Sequence, residues 1–309
     1  MTDVALGYDG RLYLLAFDHR GSFQRDMFGI VGDPSPEQIE AICDVKLLIF
    51  ESALAAAARG PAAGSTGIAV DEQFGCDIPA QAREHAVKLV MPVEKSGQRE
   101  FDFEYGEDFG AHIERCDPDF SKVLVRYNPE DEDRELNERQ RARMKTLSDW
   151  LHARDRKLLF ELLVPPTAAQ VERVGGDSAR YDLELRPNLV RAAIEELQNA
   201  GIEVDVWKLE GVQESADAAM LAEQARAGVG RAHVVCIVLG RAGSDEQIDH
   251  WLGVAAPVEG FAGFAIGRSV WWGALKGFLL QSLPRQQARD QITSNYLRFI
   301  DVYERHQRH

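Results

Sequence analysis

KLLFELLVP (157–165) and VDVWKLEG (204–211) decide how this chain folds. Each sets an ionisable residue, Glu161 in the first and Lys208 in the second, among apolar neighbours, and each ends on a turn residue. Runs this short and apolar on both faces belong to strands covered on both sides, as in a parallel sheet between a core and a layer of helices. Six further runs share the character: LYLLAFDH (12–19), GIAVDEQF (67–74), KLVMPVEK (88–95), KVLVRYNP (122–129), HVVCIVLGR (233–241) and GFAGFAIGR (260–268). The segments between them read as helices, and strict alternation of strand and helix means a parallel sheet. Eight such units predict an α/β fold of one domain, a closed (β/α)8 TIM barrel over about 12–280. Pattern alone also admits a doubly wound open sheet.

Local punctuation marks the helices. The stretch 34–60 opens with Ser35 and Gln38 at capping-box spacing and ends in Gly-Pro. The stretch 187–200 runs into Gly201, a helix stop. A long charged helix is predicted over 130–155 and shorter ones over 79–87, 217–227 and 245–253. A helical tail, about 281–309, is broken at Pro284. Barrels of this kind often associate, so a homo-oligomer is expected.

The chain has 309 residues, 45% of them hydrophobic, enough for one large core. Its net charge of -15 repels phosphate backbones, so no nucleic-acid partner is expected. An anionic small molecule would need a basic pocket set against that overall field. Cys43, Cys76, Cys116 and Cys236 lie far apart with no Cys-x-x-Cys pair, which predicts reduced thiols and no disulfide. MTDVALGYDGR (1–11) lacks the basic-then-apolar order of a signal peptide. No stretch approaches the roughly 20 apolar residues of a membrane helix. A cytoplasmic protein without a membrane partner is expected.

A barrel of this kind works at the C-terminal ends of its strands. Asp18, His19 and Arg20 close the first run, Asp71 and Glu72 lie in the second, and Glu94 and Lys95 close the third. Lys122, Leu124, Arg126 and Asn128 share a face of the fourth, and Arg241 and Arg268 end the last two. Glu161 and Lys208 sit inside their strands, where a lone charge is costly. A desolvated lysine beside a second cation such as Lys122 releases its proton more readily, and a free amine attacks a ketone to give an iminium. A carboxylate in an apolar strand is expected to titrate high, which suits proton transfer. The competing reading is a structural ion pair between the two across the barrel.

AFDHRGSF (16–23), KVLVRYNP (122–129), FELLVPP (160–166), VWKLEG (206–211) and IGRSVWW (266–272), in this order, resemble the class I (Schiff-base) aldolases of the tagatose-bisphosphate aldolase type. The likeness is closest to the 2-deoxy-5-ketogluconate-6-phosphate aldolase-like domain fused to the sugar kinase of myo-inositol catabolism, and it spans about 12–276. No kinase segment is read here, so a stand-alone version is expected. The resemblance implies that Lys208 forms the Schiff base, Glu161 is the acid/base, Lys122 stands beside the reactive amine, and Asp18 contacts substrate hydroxyls. It implies that Arg268 binds phosphate. His19 stands where the family often has glutamine, and Arg241 has no certain counterpart.

The implied reaction cleaves a phosphorylated keto sugar acid, 2-deoxy-5-keto-gluconate 6-phosphate, into dihydroxyacetone phosphate and malonate semialdehyde. Phosphate would rest on Arg268 and backbone N–H groups, with Gly240, Gly243 and Gly267 permitting close approach. The substrate carboxylate would take Arg126, Arg20 or Arg241. No cofactor or metal is expected. Of eight histidines only His19 and His233 belong to strands, and His233 begins one, so a zinc site of the class II type finds no ligand set. The alternatives are an aldolase for tagatose 1,6-bisphosphate or a sulfosugar phosphate, a non-catalytic barrel that senses sugar phosphates, and a metal-dependent lyase using Asp71, Glu72 or Glu94.

Overall fold

The computed structural model describes residues 6–59, 63–241 and 243–307. Eight parallel strands close into a barrel in sequence order: β1 (Leu12–Ala16), β2 (Thr66–Ala69), β3 (Lys88–Pro92), β4 (Phe120–Arg126), β5 (Lys157–Leu163), β6 (Val206–Glu210), β7 (Val235–Leu239) and β8 (Phe261–Ile266). Closure by β1–β8 pairing settles the choice between barrel and open sheet. Each strand overlaps one of the eight apolar runs, with β2 beginning one residue and β4 two residues ahead of its run. The barrel bottom is plugged by Leu12, Leu14, Val90, Phe120, Leu159, Val206 and Ile237, all buried. On the same inward faces, nearer the C-terminal ends, β4 presents Lys122, β5 Glu161 and β6 Lys208. Glu161 and Lys208 are direct neighbours in the β5–β6 register. Apolar layers below therefore hold a polar layer above, as the strand period of two requires.

The capping box of Ser35 and Gln38 is formed at the start of the helix Pro36–Ala57. The tail is not an appendage. Its helix Arg285–Gln307 buries Ala288, Ile292, Tyr296, Phe299 and Tyr303. Tyr296 Oη donates to the Tyr13 carbonyl on β1 at 2.5 Å, and Tyr303 Oη to the Phe261 carbonyl on β8 at 3.0 Å. This helix covers the seam that closes the barrel, so its apolar face is used within the chain.

One expectation fails outright. Cys43, on the helix Pro36–Ala57, and Cys76, just after the short helix Glu72–Gly75, form a disulfide with Cα atoms 6.3 Å apart. Their separation of 33 residues hid the pairing, because the β2 strand between them folds back to bring the two helices together. Cys116 and Cys236 are free thiols, half-buried and buried.

The β3–β4 connection carries the largest feature that strand and helix patterning missed. After Glu94 the chain runs out and returns to a bridge between Glu94 and Phe103, forming a strap over the barrel mouth. Lys95 N–H donates to the Asp102 carbonyl at 3.0 Å, and Glu104 N–H to that of Val93 at 3.0 Å. The helix Arg134–His152 anchors the strap from outside: Arg139 and Arg143 hold the Glu100 carboxylate, and Gln140 accepts from the Phe101 N–H.

Candidate active site

A cavity of about 610 Å³ opens at the C-terminal ends of the strands, under the strap. Its size suits a small metabolite. Eleven of the candidate residues line it: Asp18, His19, Arg20, Lys122, Arg126, Glu161, Lys208, Gly240, Arg241, Gly267 and Arg268; Gly243 does not. Nine Lys and Arg side chains and four Asp and Glu side chains form the lining. The local field is therefore basic within a chain of net charge -15, which selects for an anionic ligand.

At the floor, Lys122 Nζ lies 2.9 Å from Asp18, 3.0 Å from Glu94 and 3.0 Å from Glu161. Burial alone would strip its proton, but the three carboxylates raise its pKa well above the usual lysine value. Lys122 is thus a permanent cation and a poor nucleophile. Lys208 Nζ has a single ion-pair partner among the described residues, Glu161 Oε2 at 3.0 Å. The same oxygen is ion-paired with both lysines. Of the two buried amines, Lys208 is therefore the less tightly held.

The expected high titration of Glu161 is overturned. Burial pushes its pKa up, yet Lys122 and Lys208 outweigh burial and leave it below the ordinary carboxylate value. Sequence showed the apolar neighbours along β5 but not the two ammonium groups facing them from β4 and β6. Asp18 is held well below the carboxylate range in the same way: burial opposes, and Lys122 and Lys208 prevail. Burial pushes the His19 pKa down to about 4, helped by Arg268 and Lys208, so its imidazole is neutral near pH 7. His19 Nδ1 is buried without a hydrogen-bond partner among the described residues.

The arginines divide into engaged and free. Arg20 donates to Glu104 at 2.9 Å and to the Glu94 carbonyl at 2.6 Å. Arg241 is pinned between Glu210 at 2.7 Å and Asp182 at 2.9 Å. Arg126 reaches only the Gln98 carbonyl of the strap, at 2.9 Å, and Arg268 has no ion pair or side-chain hydrogen bond among the described residues. Arg126 ends β4 and Arg268 follows β8, strands on opposite sides of the barrel, and Lys208 stands on β6, midway between them in the strand order. Arg268 also begins the helix Arg268–Leu279, whose first N–H groups are open to an anion.

Two glycines have a different reason than ligand approach. A Cβ on Gly267 would strike the Ala16 carbonyl of β1 at 2.5 Å, and one on Gly240 would press Ile266 at 3.2 Å. The carboxylates considered for a metal do not converge. Asp71 caps the helix Glu72–Gly75 and is ion-paired with Lys46, Glu72 is held by His112 and Arg115, and only Glu94 reaches the cavity.

The chain belongs to the family described as an uncharacterized protein conserved in bacteria (DUF2090), whose model matches residues 7–307. A solved structure, Cgl0159 from Corynebacterium glutamicum, is similar to it with a TM-score of 0.58 and 18% identity, over 94% of this chain and 87% of that one. Identity at that level carries the fold alone, and a barrel of this type is commonly an enzyme. No curated protein matches the sequence.

Proposed function

For this member of the family, we propose a class I aldolase that cleaves a carbon–carbon bond through a Schiff base on Lys208. The observation that carries the proposal is the asymmetry of the two buried lysines. Lys122 is bound by three carboxylates, whereas Lys208 touches one carboxylate oxygen that is ionised and able to accept its proton. A structural ion pair would need one lysine and one carboxylate, not a second cation sharing the acceptor. A sensor would have no use for a releasable amine at the floor of its pocket.

In this reading the ketone of the substrate forms an iminium with Lys208, and that cation draws electrons from the adjacent bond. Glu161 then takes the proton of the hydroxyl one carbon beyond the bond that breaks. An aldehyde leaves, and the enamine that remains is protonated and hydrolysed. Asp18, ionised and beside the floor cluster, orients substrate hydroxyls. The substrate class follows from Arg126 and Arg268: an anionic group at each end of a chain with a ketone between. Phosphate suits Arg268 with its helix N-terminus, and carboxylate suits Arg126. This supports a phosphorylated keto sugar acid such as 2-deoxy-5-keto-gluconate 6-phosphate, giving dihydroxyacetone phosphate and malonate semialdehyde.

A bisphosphate such as tagatose 1,6-bisphosphate is the second reading, favoured by the further basic residues Arg25, Lys95 and Arg99 at the cavity rim. A coupled assay for dihydroxyacetone phosphate release, run on both compounds, tests the proposal. Turnover of the keto acid with the bisphosphate inert supports the first reading, and the reverse supports the second. Release from neither, with folded protein, counts against the assignment.

A further inference from the structure

Glu94 is the one carboxylate of the floor cluster that the reading above does not use. It ends the β3 run, is 6% exposed and lines the cavity. Its Oε1 accepts from Lys122 at 3.0 Å. Its Oε2 is buried and has no hydrogen-bond partner among the described residues. A buried, unsatisfied carboxyl oxygen costs stability on the order of 1–3 kcal/mol unless something else binds there. The groups facing Glu94 are Lys122 from β4, Arg20 at 3.6 Å and Asp18 from the end of β1, with Glu161 behind Lys122 and Glu104 behind Arg20.

We propose that Glu94 is a second catalytic acid, whose carboxyl group hands a proton to the substrate carbonyl oxygen while Lys208 forms its Schiff base. The inference rests on the Schiff-base reading. The proton count closes. The Lys208 ammonium gives one proton to Glu161, and the freed amine attacks the ketone carbon. The carbonyl electron pair moves onto oxygen, which takes the Glu94 proton. The new nitrogen–carbon bond becomes a double bond as nitrogen loses a second proton to that oxygen, which departs as water. Glu161 ends protonated and Glu94 ionised, with the iminium carrying the single positive charge. Lys122 lies 3.0 Å from each carboxylate, and in one concerted exchange it gives a proton to Glu94 as it takes one from Glu161, so it is an ammonium before and after and Glu161 is ionised again before the carbon–carbon bond breaks.

Electrostatics agrees with this division of labour. Burial pushes the Glu94 pKa up and Lys122 and Arg20 do not cancel it, whereas Glu161 is pulled down. Two carboxyls whose environments drive them apart are an acid and a base.

The test uses the full chain with dihydroxyacetone phosphate as probe. Iminium formation is quenched with borohydride at timed intervals, across pH, and adduct is measured by intact mass. The wild type should give a bell-shaped rate profile, rising as Glu161 ionises and falling as Glu94 does. Glu94→Gln should form adduct roughly 100-fold more slowly, within the range typical of general acid catalysis, and should lose the falling limb. Glu94→Asp, which keeps a carboxyl, should retain that limb at an intermediate rate. A Glu94→Gln profile identical to wild type overturns the inference while leaving the Schiff base intact. No adduct on the wild type overturns the underlying reading instead. Should Glu94→Gln not fold, Glu94→Asp and the wild-type limb still decide: absence of a falling limb in both overturns the proposal.

Discussion

Replacing each floor lysine by methionine should have very different costs, and the difference follows from the ion pairs. Methionine keeps most of the volume, so packing is nearly constant. Lys122→Met removes the only ion-pair partner of Asp18 among the described residues, while Glu94 keeps Arg20 at 3.6 Å and Glu161 keeps Lys208 at 3.0 Å. An orphaned buried charge costs about 3–5 kcal/mol. Lys208→Met orphans nothing, because Glu161 retains Lys122 at 3.0 Å. Its cost should stay within about 1 kcal/mol, since desolvation of the lysine is also relieved. Unfolding entropy of about 2.1 cal/mol/K per residue makes 1 kcal/mol worth roughly 1.5 °C in a chain of this size. Differential scanning calorimetry near pH 7 should therefore show Lys122→Met lower by roughly 5–8 °C and Lys208→Met within about 2 °C of wild type. The Asp18 pKa is depressed by folding, so its contribution is present above the unfolded carboxylate value and lost as pH falls. The Lys122→Met deficit should shrink as the pH drops into that range. Equal stability of the two variants, or a larger loss for Lys208→Met, would refute this electrostatic account.

His19 folds with its pKa lowered from 6.5 to about 4, so the unfolded chain binds a proton the native state refuses. Stability should rise with pH between those values, and His19→Gln should flatten that part of the urea-midpoint curve; an unchanged slope contradicts it. The disulfide spans 33 residues, and the chain-entropy model gives a loss of about 3–4 kcal/mol on reduction. Dithiothreitol should lower Tm by roughly 5 °C, and four free thiols found by mass labelling of untreated protein would contradict the pairing. Arg126→Gln and Arg268→Gln should each raise KM roughly ten- to hundred-fold, the loss of a charged hydrogen bond. Arg241→Gln, already committed to Glu210 and Asp182, should change KM less than about threefold; equal effects at all three would sink the distinction.

The barrel was legible because its strands are short apolar runs with turn residues behind them, and every run of that kind became a strand. The floor cluster was half legible. Lys208 and Glu161 stand out as charges among Leu, Val and Phe, whereas Glu94 ends its run beside Lys95 and reads like an ordinary strand terminus. Its importance comes from where Lys122 of the next strand points, which no local window contains. The same holds for Glu161: its low pKa is set by side chains 39 positions before it and 47 after, counted from its own number to Lys122 and Lys208. Three arginines looked alike in sequence, yet acceptors on distant segments, Glu104, Glu210 and Asp182, occupy two of them. The disulfide escaped for a related reason, since spacing rules describe local Cys pairs and not helices joined through a strand.

The central claim is a Schiff base on Lys208, and the direct test is chemical. The protein is incubated with dihydroxyacetone phosphate, reduced with borohydride, digested, and its peptides are mapped by mass spectrometry. The account predicts one stable secondary amine, on Lys208, lost in Lys208→Met although that variant remains folded. An adduct on Lys122, or none on a folded wild-type protein, would contradict it.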